Sequence, residues 1–67
     1  MIHRMLNSLR EIYKEEIISF MAERYVDAGR ATPMTALRLG ETEYKYASDE
    51  DIIEVLEELG HLATAEF

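Results

Sequence analysis

A chain of 67 residues without a single cysteine has only the patterning of its apolar side chains to hold it together. No disulfide can staple it, and thiolate nucleophiles and cysteine-based zinc sites are excluded. The length suits one small domain over residues 1–67, with loose ends at residues 1–7 and 61–67 as the alternative to ends that pack on it. At this size burial and chain entropy nearly cancel, so extra stabilisation from a protein partner or a second copy of the chain is expected. The missing cysteines also fit a reducing compartment. Residues 1–8 carry no secretory apolar run, and nowhere do about 18 apolar residues follow one another to cross a membrane. The expected location is therefore cytoplasmic, with no membrane partner.

The net charge of −7 is unevenly placed. Through residue 33, Arg4, Arg10, Lys14, Arg24 and Arg30 balance Glu11, Glu15, Glu16, Glu23 and Asp27. Beyond it, Arg38 and Lys45 face Glu41, Glu43, Asp49, Glu50, Asp51, Glu54, Glu57, Glu58 and Glu66, so the whole excess lies in the second half. Phosphate backbones are bound by Lys and Arg, and a chain of this charge is repelled by them. Direct nucleic-acid binding is not expected.

From Ile2 to Ala28 the apolar positions recur with a helical period. Ile2, Met5, Leu6, Leu9, Ile12, Tyr13, Ile17 and Phe20 form one stripe, interrupted by Glu16, and Gly29 marks the stop. Ser8 and Glu11 offer an alternative, later start as a capping box. Over residues 34–47 the alternation reads as a hairpin, with Thr35–Leu39 and Thr42–Tyr46 flanking Gly40-Glu41. In that register Leu37 faces Tyr44, Thr35 faces Tyr46, and Arg38 meets Glu43 on the opposite face. The competing reading takes Thr32 as an N-cap, Pro33 as the first helical residue and Gly40 as the stop of a short helix. The last element is a helix: Ser48 caps it, acids fill its first turn, Ile52, Val55, Leu56 and Leu59 form its buried stripe, and Gly60 ends it. The fold class expected is α+β, a long N-terminal helix, an antiparallel hairpin and a C-terminal helix (αββα), with an all-α three-helix arrangement as the alternative. Its core is expected to contain Ile12, Ile17, Phe20, Met21, Leu37, Leu39, Tyr44, Tyr46, Ile52, Leu56 and Leu59.

A helix of such length spans about 40 Å, and a hairpin plus a short helix covers about half of it. The residues left over, Ile2, Met5, Leu6 and Leu9, are the expected protein interface. Catalytic chemistry is not expected, nor a metal or cofactor. His3 and His61 stand alone, the serines lack a base partner, and no glycine-rich phosphate loop is present. Tyr44 and Tyr46 read as core rather than as a stacking platform for bases. The final helix offers a second surface, an acidic face of Glu50, Glu54, Glu57 and Glu58 whose carboxylates could imitate a row of phosphates.

The succession of helix, Gly29-Arg30-Ala31-Thr32, hairpin, Ala47-Ser48 cap and a final helix with Leu56-Glu57-Glu58-Leu59 resembles the small head-tail joining (connector) proteins of tailed bacteriophages over residues 8–60. The resemblance implies an αββα fold, a ring of copies between capsid and tail, and a phage-infected bacterial host. It carries over no site residue. Two functional expectations follow. The first is a non-enzymatic interaction or assembly protein, an adaptor or connector subunit docking through its first helix. The alternative is an acidic regulatory inhibitor, a nucleic-acid mimic that binds a basic groove on a host nucleic-acid enzyme.

Overall fold

The computed structural model describes residues 2–62, with side chains from Arg4 onward. Four helices follow one another: α1 (Ile2–Ile12), α2 (Lys14–Asp27), α3 (Pro33–Tyr46) and α4 (Asp49–Glu58). No strand occurs among the described residues, so the fold is all-helical and the expected α+β class is wrong.

The hairpin over residues 34–47 is replaced by α3, for a reason that begins at its first turn. Thr32 has extended backbone angles, its Oγ1 accepts the Thr35 N–H at 3.5 Å, and Pro33 occupies the first helical position, where no N–H is needed. The competing reading of this segment was therefore right about the start. It was wrong about the end, because the helix runs through Gly40 to Tyr46. Ala36 and Gly40, four residues apart, are both buried against α2. A helical period puts this pair on one face and turns Arg38, between them, to the exposed side, whereas strand alternation would place all three together. The cross-strand partners of the hairpin register part accordingly: Tyr44 packs against the core while Leu37 is 47% exposed.

The single N-terminal helix also divides. At Tyr13 the backbone departs from helical angles (φ −103°, ψ 18°), although its N–H still reaches Leu9 O at 3.0 Å and its carbonyl accepts from Ile17 N at 2.9 Å. The Arg10 carbonyl, which an unbroken helix would offer to the Lys14 N–H, accepts the Tyr44 hydroxyl at 3.1 Å. No proline or glycine lies nearby. A side chain inserted into the helical ladder is a sufficient cause of a bend.

The end of α2 follows its sequence signal. Arg30 N–H returns to Tyr25 O and Gly29 N–H to Val26 O, both at 2.9 Å, with Gly29 at φ 68°. This paired closure needs a left-handed residue, which glycine adopts without a steric penalty. Helix α4 closes with the same pair of bonds, from His61 N to Leu56 O and from Gly60 N to Glu57 O. At its start, Ser48 Oγ accepts the Asp51 N–H at 3.2 Å.

Helix α2 is the centre of the molecule. Its Ile17 and Met21 join Leu6 of α1 and Ile52, Val55 and Leu56 of α4 in one core, with Leu9, Tyr13, Phe20, Tyr44, Leu59 and Leu62 packed around it. One step round the helix, Ile18 and Ala22 face α3, where a Cβ on Gly40 would lie 2.7 Å from the Ile18 carbonyl oxygen. Pro33 and Leu37 of α3 lie beside Ala22 and Val26, and Tyr44 and Lys45 beside Lys14 and Ile18, so the two helices run antiparallel. Of the expected core, Ile12, Leu37, Leu39 and Tyr46 are instead exposed.

Arg10 ties α1 to the link between α3 and α4. Its guanidinium donates to Tyr44 O at 2.8 Å and Ala47 O at 3.3 Å, and stands 3.9 Å from Asp49. A cation there satisfies carbonyls that the end of α3 leaves without helical partners, and it meets the negative end of the helix dipole. After α4, His61 stacks on the Tyr13 ring at 3.7 Å and bonds to Glu16, which ties the residues just after α4 to the junction of α1 and α2.

Candidate protein-binding surfaces

The apolar face of α4 is consumed by the core, and this fixes where its carboxylates point. Ile52, Val55 and Leu56 are almost completely buried. At 100° per residue, Glu50, Glu54 and Glu57 lie roughly 145–170° away from the mean direction of these three. Glu50, Asp51 and Glu54 are exposed, with no cation paired to them among the described residues. Glu57 is partly buried and likewise unpaired. Glu58 differs from its neighbours, since Arg24 of α2 bonds it at 3.0 Å. The acidic face expected from the sequence thus becomes a row of Glu50, Glu54 and Glu57, with Glu58 engaged at its edge. The row spans about 10 Å along a helix whose other side is locked in place.

The four residues expected to form an interface on α1 are placed differently from one another. Leu6 is 5% exposed and belongs to the core, Leu9 packs against the core, and Met5 is 59% exposed. The side chain of Ile2 lies outside the described residues. Met5 and Ile12, 69% exposed, share a face two turns apart and are the apolar surface that α1 presents.

Sequence reasoning missed a second apolar surface. An open groove of about 400 Å³ runs between α2 and α3, lined by Ser19, Ala22, Glu23, Val26, Asp27, Pro33 and Leu37. Met34, next to Pro33 in sequence, is 81% exposed. The helical alternative for residues 32–40 contained the signal, since Pro33 and Leu37 share a helix face, but the strand reading placed Leu37 in the core.

Polar chemistry is sparse. Ser48 is occupied as a cap and His61 by Tyr13 and Glu16. Among the described residues no group of His, Asp and Glu converges as metal ligands would, and no helix is long and apolar enough to cross a membrane. Glu43 raises the pKa of the Tyr25 phenol above its ordinary value of 10.0, first by hydrogen bonding and then by its charge. A proton held more tightly in the folded state contributes stability that is present below pH 10 and is lost as the pH rises through the folded value. The thermal midpoint should therefore fall more steeply above about pH 10 in the wild type than in Tyr25→Phe; parallel curves would show that Tyr25 and Glu43 are uncoupled.

Comparison with known proteins yields no match: no family model fits the chain, and no curated protein or solved structure is significantly similar to it.

Proposed function

We propose that this chain is a non-enzymatic acidic regulator that binds a basic, nucleic-acid-binding groove on a protein partner through α4. The observation that carries the proposal is the unpaired carboxylate row Glu50, Glu54 and Glu57 on a helix whose opposite face is fully buried. Flexible acids lose side-chain entropy when a partner fixes them. Carboxylates on a pinned helix keep their mutual spacing of about 5–6 Å before binding, which reduces the backbone part of that cost. Docking through α1 as an assembly subunit has less to stand on, since Leu6 lies inside the core rather than on the surface.

The test is retention of partners from a bacterial lysate by the immobilised chain, followed by displacement with a DNA duplex. The bound protein should itself be a nucleic-acid binder, released both by the duplex and by about 0.5 M salt, where screening acts within a few ångströms. Glu50, Glu54 and Glu57 changed together to Gln should weaken it by about tenfold or more. Glu58 is left unaltered because its loss would also break the Arg24 pair. Partners that ignore salt, duplex and the Gln changes would refute the reading.

A further inference from the structure

We propose that the open groove between α2 and α3 docks a basic, amphipathic helix of a partner protein, at a site separate from the carboxylates of α4. The floor of the groove is apolar. Ala22 and Val26 stand one turn apart on α2, Pro33 and Leu37 one turn apart on α3, and Val26 and Leu37 remain 37% and 47% exposed. Burying such side chains would stabilise the chain, yet the fold does not do so. At Gly40 the backbones of α2 and α3 approach so closely that an added Cβ would lie 2.7 Å from the Ile18 carbonyl oxygen, which leaves little room to draw the two helices closer together. An apolar groove left partly open beside such a crossing is a candidate docking surface. Met34, next to Pro33 in sequence and 81% exposed, has an unbranched side chain that can adapt to an incoming one.

Charge selects the occupant. Glu23 and Asp27 line the groove one turn apart on α2, and neither has a cationic partner among the described residues. A second copy of a chain with net charge −7 would bring more negative charge to this rim. A helix with two apolar anchors at i and i+4, about 6 Å apart, fits the one-turn spacing of Pro33 and Leu37. Lysines or arginines flanking those anchors would meet Glu23 and Asp27 at the rim, where they steer encounter and set orientation.

The probe is a synthetic helical peptide with two leucines four residues apart, flanked by lysines, titrated into the isotope-labelled full chain and followed by backbone amide shifts. Shifts should concentrate in residues 19–27 and 33–37. Leu37→Lys, at a half-exposed position that leaves circular dichroism unchanged, should weaken binding by about tenfold or more. Joint Glu23→Gln and Asp27→Asn changes should weaken it and flatten its salt dependence. The Gln variant at Glu50, Glu54 and Glu57 should bind the peptide as the wild type does, which separates this site from the α4 reading. Shifts confined to residues 49–58, indifference to Leu37→Lys, equal binding of a peptide with glutamates in place of lysines, or no shifts at millimolar peptide would each overturn the proposal.

Discussion

Gly40→Ala is expected to destabilise the protein by about 2 kcal/mol, although in most helices the same change is favourable. Within a helix interior alanine is better than glycine by about 1 kcal/mol, and Gly40 has no positive φ that would oppose a side chain. What opposes it is the crossing with α2. The added Cβ would lie 2.7 Å from the Ile18 carbonyl oxygen, 3.1 Å from Ala22 N and 3.2 Å from Ala22 Cβ. The two closest atoms are backbone, so no rotamer change relieves the contact. The helices would have to separate, and the packing of Ala36 and Ala22 would loosen with them. For a domain of this size the thermal midpoint should drop by roughly 10 °C. A rise of a few degrees would mean that propensity wins and that α2 and α3 are not in close contact there.

The second large effect is expected at Leu6. Leu6→Asp places a carboxylate in a cluster whose other buried members, Ile17, Met21, Ile52, Val55 and Leu56, are all apolar. An uncompensated buried charge costs about 3–5 kcal/mol, and a core of this size supplies a net stability of about the same amount. The variant should therefore be largely unfolded at 25 °C, with the helical circular dichroism signal lost. Met5→Asp, one position away but 59% exposed, should change stability by no more than about 0.5 kcal/mol. The pair distinguishes burial from surface docking. If Leu6→Asp retained the wild-type melting curve, α1 would not be packed on the core, and its apolar stripe would again be available to a partner.

The acidic half of the proposed function was legible early because it depends on local order. Ser48, the acids after it and the Ile52, Val55, Leu56 stripe lie within one helix, and a helical wheel places Glu50, Glu54 and Glu57 opposite that stripe without any knowledge of the rest. The exemption of Glu58 was not legible, since its partner Arg24 lies 34 residues earlier. The groove was hidden for a related reason. Val26 and Leu37 come from different helices, and their remaining exposed is a property of how α2 and α3 cross rather than of either segment alone.

The sequence by itself determined the caps and stops at Gly29, Ser48 and Gly60, short-range signals that each act on backbone groups within about one helical turn, and offered Thr32 with Pro33 only as a competing start. It also determined the charge asymmetry and the identity of α4. Tertiary structure alone decided between strand and helix over residues 34–46. There the alternation Thr35, Leu37, Leu39 suited a strand, and the start at Thr32 and Pro33 suited a helix. Burial of the small pair Ala36 and Gly40 against α2 favours the helix, since it permits an approach that larger side chains would block. The division between α1 and α2 likewise coincides with a contact from outside, the Tyr44 hydroxyl on the Arg10 carbonyl. A break with no proline or glycine leaves no local trace, and the group that meets it comes from 34 positions further along the chain.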